Sequence, residues 1–378
     1  MKPILLASLL WAATSGAAAA PLRQTRPELP RLILYYQTTH DAAGRPISLL
    51  PLINKQHIAL THLIVGAFHV HANGTLHLND HPPSHPRYDT LWTETRILQS
   101  AGVKILGMVG GAARGSFTPH TLDGGNGNTT FTTAAAFERA YALLRDAIDA
   151  HDLDGVDLDV EEPMSQRGIA RLVRRLRADF GPRFVVSLAP VATALLGGGG
   201  RDGGRGGGNL SGFSYAALEK QVGRGQVGFY NAQFYNGFGG VRDTALFDKI
   251  VAAGWEAGRV VIGQLTSPAN GAGFVGHAQL GRTVAALRRR YGEIGGVVGW
   301  EYFNGVPGGL GEPWKWAQSM TRILRPGREP VLRISRETAE ELNRAWMEST
   351  AAGRGGRLGT ERWVGLVPNV DYLGMVNE

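Results

Sequence analysis

Cysteine is absent from all 378 residues. That excludes disulfides, thiolate metal sites and a cysteine nucleophile. Long apolar runs are scarce as well. The one at residues 3–13 is too short for a comfortable membrane span, and no second run follows. With Lys2 before it and Ala18, Ala19 and Ala20 after it, this run reads as a secretory signal peptide over residues 1–20. Phosphate-loop chemistry is missing too. Residues 197–208 are nearly all glycine, yet no Gly-Lys-Ser/Thr follows. That stretch reads as a slack insertion. Acidic residues are outnumbered, 32 Asp and Glu against 39 Lys and Arg, for a net charge of +7. The surplus arginines, such as Arg171, Arg174 and Arg175, are scattered. No basic run is interleaved with aromatics, so nucleic acid is not an expected partner.

What is present is a 43% hydrophobic chain, enough for a sizeable core. Eight apolar stretches read as strands: residues 31–37, 60–70, 103–111, 153–161, 184–190, 228–236, 260–265 and 296–303. Helical periodicity separates many of them, at 88–100, 132–151, 169–180, 244–253, 276–291 and 314–324. Eight strands alternating with helices predict an α/β fold, a closed (β/α)₈ barrel, over residues 31–325. Its chemistry belongs at the C-terminal ends of the strands. Residues 326–378 read as a short C-terminal extension. It holds one helix, 335–347, a Gly/Arg linker and an apolar tail packed against the barrel.

The fourth strand carries the chemistry. Strand side chains alternate faces, so Val156, Leu158 and Val160 share an aliphatic face. Asp157, Asp159 and Glu161 share the other. Three neighbouring carboxylates do not all ionise cheaply. Such a cluster holds protons, a metal or a cation. Glu161 stands last, at the end of the strand where barrel enzymes work. Histidines recur at 69, 71, 77, 81 and 85. They read as loop residues, with no metal expected.

The segment Asp154, Gly155, Asp157, Asp159, Glu161 resembles the D-G-x-D-x-D-x-E signature of family-18 glycoside hydrolases, the chitinase family. Gln233-Phe234-Tyr235-Asn236 resembles the Q-F-Y-N of its fungal and plant branch. The third strand departs from the family: Met108-Val109-Gly110-Gly111 stands where Ser-x-Gly-Gly is common. The resemblance implies a chitinase that cleaves β-1,4 bonds between N-acetylglucosamine units with retention, the sugar's 2-acetamido group acting as nucleophile. It implies that Glu161 is the general acid and base. Asp159 would hold the acetamide N–H, Asp157 would share a proton with Asp159, and Tyr235 would donate to the acetamide carbonyl. Trp300 would lie beneath the reactive sugar, with Gln233, Asn236, Tyr35, Phe68, Gly110 and Gly111 lining the subsite. No cofactor is implied.

The expected partner is chitin or an N-acetylglucosamine oligomer, met by a secreted monomer that has left its signal peptide behind. An endo-β-N-acetylglucosaminidase acting on N-glycans would use the same acids. A non-hydrolytic lectin on the same scaffold would ordinarily lack the acid found at Glu161.

Overall fold

The computed structural model describes residues 29–125, 131–197 and 208–328. In chain order the elements are β1 (Arg31–Tyr36), α1 (Pro51–Asn54), β2 (His62–Val70), β3 (Leu76–Leu78), α2 (Asp89–Ser100), β4 (Lys104–Gly110) and α3 (Phe131–Ala150). Then follow β5 (Gly155–Asp159), α4 (Gln166–Phe180), β6 (Val185–Leu188), α5 (Tyr215–Val222), β7 (Phe229–Gln233), α6 (Ala245–Ala252), β8 (Val260–Leu265), α7 (His277–Tyr291), β9 (Gly296–Trp300) and α8 (Lys315–Leu324). All strands but β3 run parallel in one ring. The ring closes where β1 pairs with β2 through Ile33 and His62, and with β9 through Arg31 and Gly296. The eight predicted strands are its eight staves. Short β3 turns back along the end of β2 and was not foreseen.

Each stave is buried on both faces, which is why the strands read as apolar runs. Two cores result. Ile33, Tyr35, Ile64, Leu106, Met108, Phe229, Val261 and Val298 fill the barrel itself. A larger set, including Val156, Leu158, Leu172 and Leu188, packs between barrel and helices. Helix α4 shows how a helix is fixed on this layer. The Ser165 side chain accepts from the Gly168 N–H at its start, and Gly181 ends it with a φ of 75°. In between, Ile169, Leu172, Val173 and Leu176 turn inward, each contributing about 2 kcal/mol by burial.

The alternation slips once. On β2 the register shifts between Val65 and Phe68, a bulge, so Ile64 and Ala67 both face the barrel interior. Val65 and Phe68 both face the helices.

The bottom of the barrel is plugged by Arg31, whose guanidinium lies 4.4 Å from the centre of the Phe229 ring. His62 meets the same ring edge-on. No described helix is long and apolar enough to cross a membrane. The leader-like segment and the C-terminal extension lie outside the described residues.

Candidate active site

Strand β5 crosses the barrel from clasp to mouth. At its foot the Asp154 carboxylate accepts from the Ile105 N–H (2.9 Å) and from Lys104 Nζ (2.6 Å). Gly155 follows because a Cβ there would meet the Val185 carbonyl at 2.3 Å. Asp157 comes next, fully buried. Its Oδ2 accepts from the Tyr35 hydroxyl at 2.6 Å. Its Oδ1 accepts from Ser187 Oγ at 2.7 Å and from Asn231 Nδ2 at 3.0 Å.

Asp159 is 5% exposed, and its Oδ1 accepts from Gln233 Nε2 at 3.2 Å. Glu161 stands partly exposed above it and accepts from the same Gln233 Nε2 at 3.1 Å. Gln233 therefore ties the two acids together, while Tyr35, on β1, ties the deepest one to the opposite wall.

The charges sort by depth. Burial pushes Asp159 well above the usual carboxylate range, and Glu161 and Asp157 push it further. Asp159 thus keeps its proton to higher pH than an ordinary aspartate does. Burial also raises Asp157, but hydrogen bonds from Tyr35, Ser187 and Asn231 oppose that rise. Tyr235 is buried beside all three acids. Burial first, then Asp159, Glu161 and Asp157, raise its pKa well above that of a free tyrosine. Its hydroxyl stays a neutral donor, and it has no hydrogen-bond partner among the described residues.

Trp300 ends β9 and meets Tyr35 edge-on at 5.2 Å. Its carbonyl is clasped by the Thr266 N–H at 2.8 Å and Asn270 Nδ2 at 3.0 Å, which anchors the end of β9.

The other predicted positions divide. Gly110 and Gly111 have φ near 93° and 94°. A Cβ on Gly110 would lie 2.5 Å from the Asp159 carbonyl, and the Gly111 N–H donates to that same carbonyl at 2.8 Å. They seat the main chain of Asp159 rather than offer a surface to a ligand. Met108 lies in the barrel core, with its methyl against Gly111. Asn236 is exposed with a φ of 54°, and its Oδ1 accepts from the Ala272 N–H at 2.9 Å. It pins the loop after β8.

Phe68 corrects the sequence reading. It faces the helices, 6.4 Å from Trp92, because the bulge on β2 turns it away from the cleft. Strict alternation would have placed it inward.

Four residues escaped sequence reasoning. Ser187 and Asn231 are polar residues at inward positions of otherwise apolar strands, and that break in pattern was the available signal. Glu162, beside Glu161, is buried and accepts from the Gly115 N–H (2.9 Å) and the Phe117 N–H (2.8 Å). It shapes the loop after β4, whose Phe117 packs on Gly110. Glu301 is also buried and accepts from the Thr38 N–H (2.7 Å) and Thr38 Oγ1 (3.0 Å). It fixes the loop after β1. Nothing local in the sequence marks either role. The histidines of the β2–β3 hairpin pack on one another, His71 and His77 at 5.0 Å between ring centres. Among the described residues no cluster of His, Asp and Glu is arranged to hold a metal ion.

One part-exposed carboxyl above two buried ones, at the C-terminal mouth of a parallel barrel, is the plan of an enzyme that cleaves glycosidic bonds by acid catalysis. Comparison with known proteins gives that class a family. The model for glycosyl hydrolases family 18 matches residues 31–254. A fungal endo-β-N-acetylglucosaminidase of that family is 55% identical and superposes with a TM-score of 0.73, over 80% of this chain and 100% of that one. The chitinase ChiC of Aspergillus fumigatus is 45% identical with a TM-score of 0.66, over 77% and 98%. Chitinase 1 of Rhizopus niveus is 28% identical over 220 residues, 56% of this chain. The chain spans 40% of that relative's length. The chain belongs to glycosyl hydrolase family 18 and is a glycoside hydrolase.

Proposed function

We propose that this hydrolase cleaves the β-1,4 bond between two N-acetylglucosamine units, with the substrate's own 2-acetamido oxygen as nucleophile. One observation supports this above the others: of the three acids Asp157, Asp159 and Glu161, only Glu161 is exposed enough to meet a substrate. A two-carboxylate mechanism needs a second one as nucleophile. Asp157 is fully buried under three donors, and burial beside two other acids biases Asp159 toward its neutral form. The missing nucleophile then comes from the sugar.

In this reading Glu161 protonates the leaving oxygen and afterwards takes a proton from water. Asp159 accepts from the acetamide N–H, and the positive charge that grows on the cyclised intermediate is balanced by the carboxylate that Glu161 becomes on giving up its proton, with the anion at Asp157 beneath. Tyr235 offers its unpartnered hydroxyl to the acetamide carbonyl and aims its oxygen at the anomeric carbon. Trp300 gives the sugar ring an apolar floor.

Two natural substrates contain this bond. The core of N-glycans comes first, because the relative at 55% identity is an endo-β-N-acetylglucosaminidase. The tryptophans fit the same choice. Trp92 stacks on His151, Trp255 donates to the Leu195 carbonyl, Trp316 is buried and Trp314 lies beside Lys55. Among the described tryptophans Trp300 alone meets a residue that holds an acid, Tyr35, which gives one platform rather than a row along a polymer. Chitin, the expectation from the sequence, is the second reading. The Gln233–Asn236 segment and the chitinase relative at 45% identity favour it. The proposal includes secretion, from the leader-like segment, and action as a monomer, since every group named comes from one chain.

The test is to incubate the protein with N-acetylglucosamine hexamer and, separately, with a high-mannose glycoprotein, and to weigh the products by mass spectrometry. Glycan release supports the first reading. Dimers and trimers from the hexamer with the glycoprotein intact support the second. No cleavage of either sinks both.

A further inference from the structure

Asn231 sits on β7 inside the barrel, 1% exposed. Its Nδ2 donates to Asp157 Oδ1 at 3.0 Å. Its Oδ1 is buried and has no hydrogen-bond partner among the described residues. An unpaired buried carbonyl oxygen is costly, and a branched apolar side chain is the ordinary filling for an inward barrel position. The polar choice therefore points to what Nδ2 does.

The three partners of Asp157 are not equivalent. Tyr35 and Ser187 present hydroxyls, which donate to an anion but can turn and accept from an acid. Ser187 Oγ even has a second acceptor, the Val156 carbonyl at 3.5 Å. The Asn231 Nδ2 only donates. Turning the amide over would aim Oδ1 at Asp157 but would leave a buried NH₂ without a partner, a rarer and harsher outcome than a lone carbonyl. Among the described residues, the ionisable groups that feel the charge of Asp157 are Tyr35 from β1, Asp159 from β5, Tyr215 from α5 and Tyr235 past β7. None of these supplies a positive charge, so the hydrogen bonds from Tyr35, Ser187 and Asn231 are what oppose the burial that raises Asp157.

We infer that Asn231 is a positioning residue for the hydrolytic step: by donating only, it keeps Asp157 an anion and so leaves the pair's single proton on Asp159, where the acetamide docks. The inference rests on the reaction proposed above. The high, burial-driven proton affinity of Asp159 agrees with it.

The experiment is the pH profile of kcat/KM for the wild type, Asn231→Val and Asn231→Asp, on whichever of the two substrates the wild type cleaves. The acid limb then reports protonation of Asp157. Valine removes one hydrogen bond to an anion, so the limb should move up by about 1 pH unit. KM should stay within about threefold while kcat falls about tenfold. Aspartate keeps the shape but adds a like charge, so its limb should move further up. Thermal melting of each variant reports folding. A uniform loss at every pH, an unmoved limb, or an Asn231→Asp protein that does not fold would overturn the inference, since each makes Asn231 a structural residue only. A wild type inactive on both substrates would overturn the proposed reaction and the inference with it.

Discussion

At the bottom of the barrel Arg31 reaches the carbonyls of Gly258 and Gly295, each at 3.2 Å, and His62 sits buried beside it. At the top Asp157, Asp159 and Tyr235 sit equally deep. Burial acts on both ends with opposite sign. Below, it lowers Arg31 to about 10, with Arg259 adding to the effect, and lowers His62 to about 3. Above, it raises every acid it touches. The consequences differ because the starting points differ. A guanidinium lowered to about 10 is still charged at neutral pH, and a buried imidazole at about 3 is neutral throughout the useful range. No proton moves at the bottom. The buried carboxyls above are shifted toward holding protons, and acids so shifted are what a catalytic end needs.

The contrast is open to breakage by substitution. The largest effect is expected from Glu161→Gln, which keeps shape but loses the proton. Hydrolysis should fall by about 10³-fold or more while calorimetric binding of the oligosaccharide persists. Retained turnover would place the acid elsewhere, although the neighbouring Glu162 is already occupied by two backbone N–H groups.

Next comes a buried acid that serves the fold. Glu94, on α2, accepts from the Leu49 N–H (2.6 Å) and Ser48 Oγ (2.9 Å), and burial raises it from 4.5 to about 7. A pKa raised by folding gives stability that is full below about pH 4.5 and is lost as pH rises through about 7. The loss is on the order of 3 kcal/mol for such a shift. Asp157, Asp159 and Glu301 are raised too, and their contributions have the same sign. Denaturation of Glu94→Gln across pH 4.5–7 should therefore show a flatter profile than the wild type. An equal slope would mean that Glu94 ionises normally.

At the bottom, Arg31→Met should cost about 2 kcal/mol in urea unfolding, since the Gly258 carbonyl loses a buried donor. The pH profile of activity should not change. A moved profile would erase the distinction between the ends. The smallest effect is expected from Tyr235→Phe, a loss of about tenfold in kcat with the acid limb in place, equal to about 1.4 kcal/mol. A loss confined to KM would make the hydroxyl a general binder rather than an aiming group.

The sequence carried the acidic strand and the eight staves because each rests on a local rule, alternation or an apolar run. It missed helix α5, whose eight residues lie just past the glycine-rich stretch. Phe68 was misplaced because one extra residue on β2 inverts every later side chain. Asn236 was read as lining the sugar subsite, but its left-handed backbone and its bond to Ala272 make it a loop anchor. Ser187 and Asn231 needed knowledge of which strands face each other across the barrel. Their partner Asp157 is 30 and 74 positions away in the chain.

The clasp at Asp154 gives the family signature a second meaning. Between Asp154 and Glu161 runs β5, Gly155–Asp159, five residues or about 16 Å of extended backbone. One carboxylate is nailed to the floor by Ile105 and Lys104, and the other stands at the rim. The motif is thus a measuring rod as well as a set of reagents. Its first acid sets the height at which its last one works. A chain that kept Asp157, Asp159 and Glu161 but lost Asp154 would keep its chemistry and lose its calibration.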